Sequence, residues 1–127
     1  MKRTTFLLCL LCVFCLQILA ASEHNYKQQP KTQTIKVGTA TREMLVYVPA
    51  DLPEKAPMVI SMHGANQDPN YQMNQTHWNE VADTAKILVV YPKGNGNFWD
   101  ISGSGDVKFI ETIMKTMQKK YKVDKNR

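Results

Sequence analysis

The apolar and polar positions along the chain fall into blocks with two different periods. "TQTIKVG" (32–38) and "REMLVYVP" (42–49) alternate polar and apolar side chains, joined by the short link "GTAT". A period of two on either side of a glycine predicts an antiparallel hairpin. "MVISM" (58–62) and "ILVVYP" (87–92) are unbroken apolar runs, the pattern of strands buried inside a sheet. Between them, "ANQDPNYQMNQ" (65–75) is largely polar and reads as a long loop. "THWNEVADTAK" (76–86) predicts a helix, with Thr76 as N-cap and Trp78, Val81, Ala82 and Ala85 on one face. After the loop "KGNGNFWDISGSG" (93–105), Asp106 reads as the cap of a second helix, "VKFIETIMKTMQKKYK". On it Phe109, Ile110, Ile113, Met114 and Met117 recur at helical spacing, which assigns them to a core rather than to a cofactor.

The order is hairpin, strand, helix, strand, helix. A buried strand that returns to another through a helix implies a right-handed parallel crossover. The fold class is therefore α/β, an antiparallel hairpin leading into a mostly parallel sheet with flanking helices. Residues 23–40 form a polar leader and the first strand, and 41–127 form the domain.

Residues 1–22 stand apart from this pattern. Lys2 and Arg3, the apolar run "FLLCLLCVFCL" and the small residues of "ILAAS" have the layout of a signal peptide, cleaved after Ala21 or Ser22. The run is shorter than the roughly 20 residues that span a bilayer, so no stable membrane anchor is expected. The expected location is secreted or periplasmic. All three cysteines, Cys9, Cys12 and Cys15, lie inside that segment, so the remainder has neither a disulfide framework nor a thiolate metal site. The formal charge of +5 includes Lys2 and Arg3, and much of the surplus lies in "KTMQKKYKVDKNR". Cations there complement the C-terminal end of a helix dipole, so no nucleic-acid partner is inferred.

Candidate chemistry begins where "MVISM" runs into His63-Gly64. Ester hydrolysis passes through a tetrahedral oxyanion, which is stabilised by backbone N–H groups already aimed at the developing charge. A strand that ends abruptly in His-Gly lets the next amides turn toward a common point. The donor here is the N–H of Ala65, with Asn66 as second choice. His63, at a strand end, is expected to order the loop rather than to act as a base.

The ordered set "VYVP", "MVISMHGANQ", "HWNEVADTAKILVVYP", a Trp-bearing loop and "GDVKFIETIMKTMQKKYKVDKNR" resembles a known family over residues 41–127. It is that of the secreted polyhydroxybutyrate-depolymerase-like esterases, which includes feruloyl and acetylxylan esterases. Gln67 after His63-Gly64, Trp78-Asn79 opening the helix, Tyr91-Pro92 closing the strand, and Asp106, Val107, Phe109 and Ile110 all match. Ala65 departs from a frequent cysteine, and the loop around Trp99 is short. The resemblance implies the N-terminal portion of an α/β-hydrolase fold, truncated before the nucleophile strand. It also implies a polysaccharide-ester or polyester substrate and no cofactor. Such enzymes carry their serine in Gly-x-Ser-x-Gly. Ser102 and Ser104 lack the glycine two residues earlier, so no nucleophile, acid or base histidine is assigned and the chain is expected to be inactive.

The alternative is a non-catalytic module. Phe98 and Trp99 on a polar loop could stack on a sugar ring, with Trp99 the better candidate for a cleft wall, or an open sheet edge could pair with a partner chain. No metal site is expected, since His63 and His77 lie on different elements without ligand spacing. "NQT" at Asn74 would be a glycosylation acceptor in a eukaryotic secretory pathway.

Overall fold

The computed structural model describes residues 25–127. The signal peptide read over 1–22 lies outside the described residues. Strands β1 (Lys31–Val37) and β2 (Ala40–Tyr47) form the expected hairpin, in a register that pairs Val37 with Ala40. The connection is tighter than "GTAT" suggested: only Gly38 and Thr39 lie between the paired residues, and Gly38 has φ of 60°. A two-residue hairpin turn needs a positive φ, which glycine takes without steric cost.

Strands β3 (Met58–Ile60) and β4 (Leu88–Pro92) complete a four-stranded sheet in the order β1-β2-β4-β3. The β3–β4 pair is parallel, as a strand–helix–strand unit requires, while β4 joins β2 antiparallel. The sheet is mixed, and parallel pairing begins at β3. β4 is buried at every position: Leu88 and Val90 face one cluster, Val89 and Tyr91 the other. Burial on both faces is why this strand reads as an unbroken apolar run. β3 differs from its reading. It is the edge strand, half-buried, and ends at Ile60, leaving Met62 exposed. The chain at 122–127 returns beside it, with the Met58 N–H donating to the Arg127 carbonyl at 3.1 Å.

The segment read as a long loop contains helix α1 (Pro69–Thr76). Asp68 caps it, its carboxylate accepting from the Tyr71 N–H at 2.8 Å, and Pro69 opens it with a preset φ and no N–H to leave unpaired. Thr76 is therefore not a cap. It closes α1 and its hydroxyl donates to the Gln72 carbonyl at 2.9 Å. His77, with φ of 53°, turns the chain into α2 (Trp78–Ala85). The buried side of α2 is Asn79, Ala82 and Asp83; Val81 and Ala85, expected to face the core, are exposed.

Asn79 and Asp83 are buried because tyrosines of the sheet meet them. The Tyr91 hydroxyl donates to Asn79 Oδ1 at 2.8 Å, and the Tyr47 hydroxyl to Asp83 Oδ1 at 2.6 Å. The leader joins the second pair, with Lys27 N–H on Asp83 Oδ2 at 2.8 Å and Gln28 N–H on the Tyr47 oxygen at 3.2 Å. Burial and the Asp83 hydrogen bond push the Tyr47 hydroxyl up to about 12, and burial raises Tyr91 as well.

Helix α3 (Gly105–Tyr121) covers the opposite face of the sheet. Phe109, Ile113 and Met117 are fully buried against Met44, Val46, Leu88 and Val90. Each such side chain contributes about 1.5–3 kcal/mol on burial, enough for that stripe to hold the helix in place. Ile110 is partly buried, and Met114, assigned to the same stripe, is exposed. Asp106 is not the cap: the helix starts at Gly105, and the Asp106 carboxylate is turned to Arg42 and Asp100. Among the described residues no helix is long and apolar enough to cross a membrane.

Candidate functional site

The His63 turn follows directly from the end of β3. His63 is buried, 3% exposed, and both ring nitrogens are engaged. Nδ1 donates to the Gly64 carbonyl at 2.7 Å, and Nε2 accepts from the Gly94 N–H at 3.0 Å. A carbonyl can only accept and an N–H can only donate, so the ring is the neutral Nδ1–H tautomer. Its one lone pair is occupied, which leaves nothing with which to take a substrate proton. His63 ties the turn at Gly64 to the loop at Gly94.

The Trp99 indole N–H donates to the His63 carbonyl at 2.7 Å, and its ring packs on the imidazole with centroids 4.8 Å apart. Trp99 is half-buried and also lines an apolar groove of about 350 Å³ with Met62, Val107 and Ile110. With Trp99 tied to His63, Phe98 is left as the exposed aromatic of that loop.

The turn itself is closed by Gln67. Its side-chain oxygen accepts from the Gly64 N–H at 2.7 Å, and its N–H donates to the Gly64 carbonyl at 3.2 Å. Gly64 is constrained by space rather than by conformation. A Cβ there would lie 2.8 Å from the Gln67 amide oxygen, while the left-handed conformation falls on Asn66, with φ of 57°.

The two candidate donors have different environments. The Asn66 N–H donates to the Asn97 carbonyl at 3.0 Å, so the second choice is already committed within the fold. Ala65 is exposed, and among the described residues its N–H has no acceptor. Sequence reasoning missed the residues across the turn. Asn95–Phe98 forms a tight hairpin with Gly96 and Asn97 both at positive φ, which presents the Asn97 carbonyl to Asn66. Gly94 admits no side chain, since a Cβ would meet the Phe98 carbonyl oxygen at 2.4 Å. The signal for these two was the "GNGN" run, because such turns draw on glycine and asparagine.

A second anchor lies behind this loop. Arg42 Nη2 contacts Asp106 Oδ1 at 2.7 Å and donates to the Lys93 carbonyl at 3.0 Å, with the guanidinium carbon 4.1 Å from the Phe109 ring centre. Asp106 Oδ2 in turn accepts from the Asp100 N–H at 2.5 Å. The "ISGSG" stretch, part of the loop read over 93–105, is folded back on Asp100. That carboxylate accepts from the Gly103 and Ser102 N–H groups, which hold it below the usual carboxylate range. Both ends of the Trp99 loop are therefore pinned to β2 and α3. Among the described residues, no three His, Cys, Asp or Glu side chains converge as metal ligands would.

No protein-family profile matches the chain. A bifunctional acetylxylan esterase/xylanase of Neocallimastix patriciarum is 41% identical over 90 residues, 69% of this chain and 13% of that protein. A poly(3-hydroxyalkanoate) depolymerase of Paucimonas lemoignei is 26% identical over 122 residues, 87% of this chain and 29% of the relative. Among solved structures, the acetyl xylan esterase from Aspergillus awamori matches with a TM-score of 0.64 and 19% identity. That match covers 74% of this chain and 39% of the other, and at such identity it speaks to the fold alone.

Proposed function

We propose, from the premise that this chain is a partial α/β-hydrolase related in sequence to acetylxylan esterases and poly(3-hydroxyalkanoate) depolymerases, that it supplies the oxyanion-binding turn of a secreted ester hydrolase. The Ala65 N–H is one donor to the tetrahedral intermediate. The second belongs to the residue after the nucleophilic serine. His63, held between Gly94 and Trp99, fixes the direction of the turn but takes no proton. The substrate is an ester of a plant-wall polysaccharide or a polyester, and the groove beside Trp99 is where part of it rests.

The observation that carries this reading is the unpartnered Ala65 amide, set between the engaged amides of Gly64 and Asn66. Rigid, pre-aimed donors are what transition-state stabilisation requires, and losing one costs about 3–4 kcal/mol in characterised hydrolases.

Since Gly-x-Ser-x-Gly does not occur in the 127 residues, covalent acyl transfer has no nucleophile here. The purified chain, given an aryl acetate and acetylated xylan, is expected to release no acetate above buffer. Turnover would overturn the assignment of this chain as a non-catalytic part. DNA on the 3′ side of codon 127 is expected to encode Gly-x-Ser-x-Gly. Its absence from every frame would remove the hydrolase reading.

A further inference from the structure

We propose that Asn74 is an N-glycosylation site, an inference that rests on the secretory part of the reading above. Asn74-Gln75-Thr76 is an Asn-x-Thr triplet with no proline at its centre, and such acceptors lie on the surface of exported proteins. The fold puts it there. Asn74 and Gln75 are exposed, whereas α1 buries Pro69 and Met73. Asn74 is five residues beyond Pro69, where α1 begins, roughly 8 Å along the helix at 1.5 Å per residue. A glycan is therefore carried in the last turn of α1, at the end away from its Asp68 cap.

The residue three positions earlier supports an attached sugar. Positions i and i+3 of a helix are neighbours, and Tyr71 is 47% exposed. The first sugar lies over that ring and covers an aromatic surface the fold leaves bare.

In the folded chain the Thr76 hydroxyl donates to the Gln72 carbonyl, so the triplet is free to bind a transferase in the chain before α1 has formed. The donor is a lipid-linked oligosaccharide pyrophosphate. Asn74 Nδ2 forms a bond to its anomeric carbon, the bond from that carbon to the pyrophosphate oxygen breaks, and the lipid pyrophosphate departs with the electron pair. The amide nitrogen loses one proton.

The full chain translated with endoplasmic-reticulum microsomes tests this. The expected product is protected from added protease and carries one mass increment that an endoglycosidase removes. Asn74→Gln and Thr76→Ala are expected to lose the increment, and Thr76→Ser to keep it. A protected chain with no increment overturns the glycosylation while sparing the secretory reading. A chain left open to protease overturns both. An increment that survives in Asn74→Gln also overturns the assignment.

Discussion

Replacing Arg42 with methionine tests how the loop bearing Trp99 is held. The pair it breaks is nearly dry: the Arg42 and Asp106 side chains are 14% and 8% exposed, with N and O 2.7 Å apart. Methionine keeps an unbranched apolar side chain but removes the guanidinium that lies over Phe109 and its bond to the Lys93 carbonyl. Asp106 is then left as a buried carboxylate supported by the Asp100 N–H. Removing one partner of a buried pair costs about 3–5 kcal/mol. Because Asp106 retains that one donor, the lower end applies, about 3 kcal/mol. In a domain of this size each kcal/mol moves the melting temperature by about 4–8 °C, so the expected drop is about 12–24 °C.

Urea denaturation followed by circular dichroism measures the free energy, and a thermal melt gives the shift. The double variant R42M/D106N is expected to lose less than the sum of its singles, since each single leaves a polar group stranded that the other removes. A loss below about 0.5 kcal/mol for R42M, the range of ordinary surface changes, would refute the reasoning.

Other perturbations separate the roles of neighbouring groups. Gly94→Ala drives a Cβ into the Phe98 carbonyl and disturbs the donor to His63. It is expected to cost about 2–3 kcal/mol as overpacking, visible in a urea melt. Gly64→Ala meets only the movable end of Gln67 and is expected to cost less. Tyr47, with its hydroxyl pushed up to about 12 from 10.0, holds its proton more tightly folded than unfolded. Its contribution is thus complete below pH 10 and is lost as pH rises toward 12; Tyr47→Phe should flatten that part of the stability–pH curve. Asp68→Ala removes the cap of α1 and is expected to cost about 1 kcal/mol, read as a lower urea midpoint without a change in slope.

Elements held by apolar stripes were legible in the sequence, and those held by polar pairs were not. β4 reads directly because both of its faces are buried, and α3 reads from Phe109, Ile113 and Met117. α1 went unread because half of its positions are Asn or Gln, with no apolar stripe to mark them; the Asp68-Pro69 pair was the available signal. On α2, hydrophobic periodicity selected Ala82, which is buried, but also Val81 and Ala85, which are exposed; the other residues turned inward are Asn79 and Asp83. Their burial depends on tyrosines from strands elsewhere in the sequence, which no local pattern reveals. Asp106 was misread for the same reason, since its partner Arg42 is 64 residues earlier. At the site, the turn after His63-Gly64 was legible as a motif. The commitment of Asn66 to Asn97, and the roles of Gly94 and Arg42, emerge only when the two loops are brought together.

Residue-resolved amide hydrogen exchange on residues 63–66 and 94 tests the central claim, a rigid turn with one amide left open. Protection follows hydrogen bonding and local stability. The Gly64, Asn66 and Gly94 amides, each donating to a defined acceptor, are expected to exchange slowly, while Ala65 exchanges near the rate of an unstructured peptide. Slow exchange at Ala65 would mean that its amide is already bonded within the fold. The turn would then have no donor to offer an oxyanion.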